Sequence, residues 1–360
     1  MVASAPVRAT RMLNAQRSDV AVSGVAAASS RRKTTLGNNY MKLAKRVTTM
    51  LAAVAVAVTL PVAAVSTASA SPVPSCDVSA DVYGVEQDGR LFVYPHNEPE
   101  NGGFSWGAKR YIGTGWNAGT VVAGPYGLFY LILPTTGEIR AYSWNGYGWD
   151  TAPNGAQYIV VSLPGDDYRY WTQAGNTNKV SSDANGDLWL IDGAGELYYV
   201  TDAPSAAAKS ATAGKAKAKP EAHSKTRVKV TKDGLQSKAG AQSKAAAAPI
   251  WLGVDYIVSA GNGVLYTRHS TTNELKRSEF DLVNGTTTAL QTPVGSGWNI
   301  FTHLTSVGGD TLYGTTNLGF WEYHYDSATG LWANNGSGKL VGAGWNSLAR
   351  VLGNPAACYS

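Results

Sequence analysis

Short runs of alternating apolar and polar residues, separated by glycine-rich turns, recur from residue 81 to the C-terminus. The run 320–325 is typical: its side chains alternate with a period of two, as in a β-strand with one buried face. In five such units an aromatic residue ends an apolar pair. These aromatics are Tyr83, Tyr130, Trp189, Tyr266 and Tyr313. Their spacings of 47, 59, 77 and 47 residues predict a repeat architecture, because a unit of this size buries its apolar face only against its neighbours.

A second repeated element is a turn that combines glycines, a tryptophan and an asparagine. The pattern Gly-x-Gly-Trp-Asn occurs at 113–117, 295–299 and 342–346. A repeat in the forties that contains several short strands is typical of propeller blades. We therefore predict an all-β fold, a five-bladed β-propeller with four-stranded blades.

The last apolar run, 347–352, has no later blade to enter. Little room precedes Tyr83 for an innermost strand of the first blade, so we expect the C-terminal run to supply that strand. This arrangement would leave no open sheet edge at the joint.

The two cysteines, Cys76 and Cys358, lie near the two ends of this region. In an exported protein such a pair predicts a disulfide, and the alternative is two free thiols. A bond requires that the ends meet, which a closed ring provides. The expected ring is thus closed by the C-terminal strand and a Cys76–Cys358 disulfide.

Residues 1–70 are expected to lie outside the fold. Basic residues at 42–46 precede an apolar stretch at 50–65, and small residues at 68–70 precede Ser71. This order predicts a secretory signal peptide; the apolar stretch is short for the alternative, a membrane anchor. Residues 1–40 would be an upstream extension, with translation starting at Met1 or Met41. We expect an extracellular protein without a transmembrane anchor, folded over 71–360.

The formal net charge of +5 conceals an acidic folded part. Outside 1–70 and 203–249 the chain has 11 basic and 22 acidic residues, and it contains all 11 tryptophans. Nucleic-acid binding needs clustered Lys and Arg, so this composition argues against a nucleic-acid partner.

Segment 203–249 is rich in Lys, Ala and Ser and contains no aromatic residue. Because it can bury little surface, we expect a disordered loop inserted into the propeller. A solvated linker is one interpretation. The others are a basic segment that folds back on the acidic protein or touches an anionic surface.

No catalytic or metal-binding motif is evident. The histidines lack metal-ligand spacing, and no Gly-x-Ser-x-Gly sequence occurs. We expect neither enzymatic activity nor a cofactor nor a metal.

The repeated turn has the chemistry of a sugar-binding site. Glycines allow close approach, an aromatic face packs on a sugar ring, and an asparagine amide both donates and accepts hydrogen bonds. The alternative is structural: an indole packed between blades and an amide that bonds within its own turn. The candidate binding residues are Trp116, Asn117, Trp298, Asn299, Trp345 and Asn346, together with Tyr130, Trp189 and Tyr313 from adjoining strands.

Taken together, the 47-residue step, the mid-blade tryptophan and the closing (Ile/Val)-Gly-x-Gly-Trp-Asn turn resemble the tachylectin-2 family over about residues 81–353. The resemblance is to a secreted bacterial member. It implies a five-bladed propeller lectin that binds N-acetylglucosamine or N-acetylgalactosamine, with one site per blade. The second and third units lack the Trp-Asn pair at 160–164 and 252–255, so either three or five sites are expected.

The resemblance implies that N-acetylated glycans of a cell wall or a foreign cell surface are the partners, without catalysis. It does not identify the sugar. Two other classes stay open: a propeller scaffold for protein partners, and a glycan-active hydrolase or lyase. The enzyme would need paired carboxylates at the central funnel with an activating base or an arginine cluster, and only 11 basic residues remain in the propeller, with nothing to pair them.

Overall fold

The computed structural model describes residues 74–202, 225–232, 234–236 and 250–359. These residues form an all-β, propeller-like fold of four small blades, numbered here one to four, and a curled fifth sheet. They include short 3-10 turns but no α-helix, and none of their helical segments could cross a membrane. The predicted extension and signal peptide, residues 1–70, lie outside the described part of the chain.

The strands are short and follow one another around the sheets. Blade one contains β2 (Ala80–Val85), β3 (Leu91–His96), β4 (Arg110–Gly113) and β23 (Arg350–Gly353). Blade two contains β5 (Thr120–Ala123), β6 (Leu128–Ile132), β7 (Ile139–Ser143) and β8 (Ile159–Val160). Blade three contains β9 (Val180–Ser182), β10 (Leu188–Ile191), β11 (Leu197–Asp202), β12 (Lys225–Thr231) and β13 (Gly234–Gln236). Blade four contains β14 (Val254–Ser259), β15 (Val264–His269), β16 (Leu275–Asp281) and β17 (Thr286–Gly295). The curled sheet contains β18 (His303–Gly308), β19 (Thr311–Thr315), β20 (Phe320–Asp326), β21 (Leu331–Trp332) and β22 (Lys339–Gly342), with β1 (Ser75–Cys76) and β24 (Cys358–Tyr359) added at its edge.

The innermost strands of the five sheets form a closed circle. Each of β5, β9, β14, β18 and β23 lies beside the next, and β23 lies beside β5. They surround a narrow cavity of about 40 Å³. The apolar clusters lie mainly between adjacent sheets; one of them joins strands of blade two to strands of blade three. Each sheet is therefore buried mainly against its neighbours, as the repeat spacing requires.

The two ends of the chain meet at the joint of this circle. Strand β23 pairs antiparallel with β2, and Tyr83 lies opposite Leu352. Strands β1 and β24 pair so that Cys76 faces Cys358, and the two sulfurs are bonded at 2.08 Å. The C-terminal run thus supplies the innermost strand of blade one.

The prediction that 203–249 is a loop without secondary structure was wrong for two stretches of it. Strand β12 continues the ladder of β11, and β13 pairs with β12. Val230 is buried against blade three and blade four, and Lys225 lies beside Asp187 at 3.3 Å. The alternation at 226–231 could have indicated this strand, but the lysine-rich composition of the whole segment concealed it. The rest of the segment, 203–224, 233 and 237–249, lies outside the described residues.

The expectation of uniformly four-stranded blades was also wrong. Blade three has five strands because β12 and β13 extend it, and the curled sheet has seven because the chain ends add β1 and β24. Blades one, two and four each have four strands.

Candidate functional site

Each Gly-x-Gly-Trp-Asn turn leaves an outermost strand and enters the next sheet. The second glycine has a left-handed backbone, with φ of 86° at Gly115, 76° at Gly297 and 80° at Gly344. An added Cβ would meet no atom within 4 Å at any of the three. These positions therefore require glycine for backbone conformation rather than for space.

The substitution Gly297→Ala is expected to lower the free energy of unfolding by about 1 kcal/mol, because alanine is strained at positive φ. Thermal unfolding followed by circular dichroism measures the change. Gly148→Ala is the matched control, since Gly148 also has open space around its Cβ position but lacks the positive φ. Equal destabilisation by both substitutions would contradict the explanation.

The tryptophan of each turn is buried between two sheets. Trp116, Trp298 and Trp345 are 5%, 6% and 7% exposed. Their ring centroids lie 5.1–5.2 Å from those of a second tryptophan on the next sheet: Trp149, Trp332 and Trp106 respectively. The second indole donates a hydrogen bond to the carbonyl four residues before the turn tryptophan: Ile112, Val294 and Val341 respectively. The three junctions are thus built alike.

A tyrosine of the same neighbouring sheet completes each aromatic group. Tyr142, Tyr323 and Tyr94 lie 5.0, 5.0 and 4.7 Å from the turn tryptophan, centroid to centroid, and are partly exposed. Burial raises the pKa of Tyr142 and of Tyr323. Both phenols stay neutral near pH 7, so each can donate and accept a hydrogen bond.

The residue two positions before each tyrosine shares its face of the strand and differs between junctions. It is Arg140 before Tyr142, Trp321 before Tyr323 and Phe92 before Tyr94. At the third of these junctions Lys109 adds a charge, with its Nζ 3.8 Å from the centroid of Phe92. Burial opposes the charge of Lys109, but hydrogen bonds to Glu86 and Tyr94 raise its pKa. The three junctions therefore share a group of two tryptophans and one tyrosine. They differ in the residue two positions before that tyrosine.

The asparagines of the three turns, in contrast, are exposed. The Asn117 amide donates to the carbonyl oxygen of Gln87 at 3.3 Å. Within the described part of the chain, the amides of Asn299 and Asn346 make no hydrogen bond. The sequence left sugar binding and structural packing open for the whole turn. The structure buries the indoles and exposes the amides and the adjacent glycines.

The three predicted residues on adjoining strands are buried as well. Tyr130, Trp189 and Tyr313 are at most 2% exposed. Tyr130 donates to the carbonyl oxygen of Gly186 on the next blade, and Tyr313 hydrogen-bonds with His96 of blade one at 2.7 Å. Trp189 donates to Asp183, which also accepts from the backbone of Gly263 on blade four. These side chains join neighbouring sheets and offer no accessible ring face.

The two junctions without the Trp-Asn pair are closed by other aromatics. The backbone nitrogen of Tyr168 donates to Gly137, just as that of Trp116 donates to Gly89 in the hairpin of blade one. Tyr168 is fully buried, and Trp251, 3% exposed, occupies the junction of blades three and four. Arg169 and Leu252 follow them where an asparagine would stand. The sequence did not reveal these replacements because the spacing is altered by insertions.

Among the described residues, no three His, Cys, Asp or Glu side chains are grouped so as to hold a metal ion.

A comparison with protein-family models gives a match that contains two of the three repeated turns. Residues 232–350 match the tachylectin family model. The match includes the tachylectin-type turns at 295–299 and 342–346, and with the fold it supports a tachylectin-type β-propeller. The search of curated proteins found no match to the chain.

Several solved structures show a distant likeness to the chain. A symmetrical protein from work on de novo evolutionary emergence is 15% identical, with a TM-score of 0.42, over 76% of this chain and 98% of that one. A streptogramin B lyase is 11% identical, with a TM-score of 0.32, over 72% and 69%. The nidogen/laminin complex gives 10% identity and a TM-score of 0.35 over 78% and 100%.

Proposed function

We propose that this protein is a secreted, non-catalytic lectin of the tachylectin-2 type. Its five sheets are the blades of a five-bladed propeller, closed by the C-terminal strand and the Cys76–Cys358 disulfide. It recognises N-acetylated sugars, such as N-acetylglucosamine or N-acetylgalactosamine, at the three junctions that carry Asn117, Asn299 and Asn346. A glycan of a cell wall or a foreign cell surface is the proposed partner.

The observation that carries the proposal is the exposed amide that recurs in three turns. The fold explains the glycine by its positive φ and the tryptophan by its burial. It does not explain the asparagine, because two of the three amides bond to nothing in the described chain. An amide that both donates and accepts matches the hydroxyl and acetamido groups of a sugar.

Three equivalent sites on one ring would make binding multivalent. The sheets hold the turns in fixed positions, since each turn tryptophan packs on the next sheet. A weak interaction at each site would then gain avidity by a factor of about 10² or more on a dense glycan surface. The family-model match at 232–350 supports the same function.

Calorimetric titration of the chain from Ser71 with N-acetylglucosamine, and separately with glucose, tests the proposal. We expect binding of the acetylated sugar alone with a stoichiometry near three. Each single substitution Asn117→Ala, Asn299→Ala or Asn346→Ala should lower the stoichiometry by one, because each removes one amide without touching the aromatic packing. Asn154→Ala, an exposed asparagine in the loop between β7 and β8, is the matched control.

Other results would overturn specific parts of the proposal. A stoichiometry near five would show that the asparagine is not the determinant. Absence of heat with N-acetylglucosamine and N-acetylgalactosamine would reject the lectin function and favour the protein-binding scaffold.

A further inference from the structure

A cavity of about 190 Å³ lies where the curled sheet meets the long loop between β3 and β4. Blade one contributes Glu100 and Asn101 to its wall, and the curled sheet contributes Glu322, Ser337 and Lys339. No residue of the turns at 113–117, 295–299 and 342–346 lines it, although Tyr323, which packs on Trp298, contributes to its wall. The exposed asparagines of the proposed sugar sites therefore lie outside the cavity.

Glu322 is the unusual residue of this cavity. Its side chain is 5% exposed, and its Oε2 has no hydrogen-bond partner among the described residues. Burial raises the pKa of Glu322 to about 8, although the charge of Lys339 acts in the opposite direction. A buried carboxyl oxygen without a hydrogen-bond partner reduces stability.

The nearest basic group does not compensate this carboxyl. His96 Nδ1 lies 3.8 Å from Oε2, but it is hydrogen-bonded to the Tyr313 hydroxyl, and Nε2 is hydrogen-bonded to the carbonyl oxygen of Gly103. A carbonyl only accepts, so Nε2 carries the proton and Nδ1 accepts from Tyr313. Burial lowers the pKa of His96, so the ring is neutral near pH 7.

The remaining charges in the wall do not neutralise Glu322. Lys339 Nζ donates to the backbone oxygen of Asn101, at the exposed side of the cavity. Glu100 has the same sign as Glu322 and raises the pKa of Glu322 further. The wall thus contains two carboxyl groups and one ammonium group that is already bound to a carbonyl.

The fold itself does not require an acid at position 322. Tyr94 and Tyr142 occupy the place of Tyr323 against their own turn tryptophans. The residues before them are Val93 and Ala141, both buried and apolar. An apolar residue at 322 would serve packing equally well, so the buried carboxyl points to a ligand.

We propose that this cavity binds a small ligand that carries a primary ammonium group, with Glu322 and Glu100 as the partners of its charge. An ammonium group is compact and presents three donors, which suits the Glu322 carboxylate, the Glu100 carboxylate and a neutral oxygen of Asn101 or Ser337. A metal ion fits less well, because no three-ligand group occurs in the described residues.

Calorimetric titration with n-butylammonium chloride tests this site, with n-butanol as the neutral ligand of the same size. We expect saturable binding of one n-butylammonium and none of n-butanol. Glu322→Gln should weaken binding at least tenfold while it keeps the side-chain volume. Glu196→Gln on blade three, outside the cavity, should leave binding unchanged.

The affinity should also depend on pH. The ligand binds the ionised carboxylate and so releases a proton, and affinity should rise by up to about tenfold per pH unit below pH 8 and level off above it. Glu100, His96, His324, Tyr313, Tyr323 and Lys339 are the other ionisable groups around Glu322. His324→Asn should retain the rise, and Glu322→Gln should abolish it.

Other results would contradict the proposed ammonium site. Equal binding of n-butanol would identify a merely apolar cavity. Undiminished binding to Glu322→Gln, or no saturable binding at pH 8.5 by a wild-type protein that is folded by circular dichroism, would overturn the proposal. Glu100→Gln, at the more exposed edge, provides a second variant if Glu322→Gln fails to fold.

Discussion

Replacing both cysteines, Cys76→Ser with Cys358→Ser, is expected to lower the free energy of unfolding by about 5 kcal/mol in the chain-entropy account of cross-links. The bond joins residues 282 positions apart, so its loss frees nearly the whole folded region in the unfolded state. It also removes the covalent restraint on β1 and β24, which are two residues each.

Urea denaturation of the wild type and the double variant measures this difference. Wild-type protein treated with a reductant should approach the double variant, and the double variant should not respond to the reductant. A difference below about 1 kcal/mol would show that the β23–β2 ladder alone holds the joint.

Substitution of a turn tryptophan is expected to have the second large effect. Trp345→Ala should lower the free energy of unfolding by about 3–5 kcal/mol, because it removes a large side chain from a tightly packed core. The indole is 7% exposed, and its centroid lies 4.3 Å from Phe320 and 4.7 Å from Tyr94. Asn346→Ala, one residue later, should change stability by no more than about 0.5 kcal/mol because the amide is exposed.

Thermal and urea unfolding of the two variants separate packing from recognition. Tyr147→Ala is the control for loss of an exposed aromatic ring, since Tyr147 is 97% exposed, and it should be nearly neutral. If Trp345→Ala kept full stability and lost one sugar site, the indole would be a ligand platform, and its assignment to the core would be wrong.

Periodicity alone was enough to predict an all-β, propeller-like fold. The alternation of strands such as 320–325 depends on local geometry, and the recurrence of Tyr266 and Tyr313 at 47 residues reflects sheets that pack alike. Segment 225–231 was missed because its strand is stabilised by pairing with β11 and by burial of Val230, which are contacts distant in sequence.

The role of the repeated turn could be predicted only in part. The sequence identified the glycine, tryptophan and asparagine at 342–346 as a unit and left sugar binding and packing as alternatives. It missed Trp106 and Tyr94 as the rings that cover Trp345, because they come from the opposite end of the chain. It gave no indication that Glu322 would be buried, because alternation along β20 does not show what the neighbouring blade places against it.

The sequence by itself thus determined the repeat, most of the strands and the residues of the turns, since these depend on interactions between residues close along the chain. Only the tertiary structure decided which of those residues face solvent. Exposure depends on the adjacent sheet, which buries the indoles of Trp116, Trp298 and Trp345 and leaves the amides of Asn117, Asn299 and Asn346 accessible. The same contact between sheets encloses Glu322 beside His96, residues 226 positions apart in sequence.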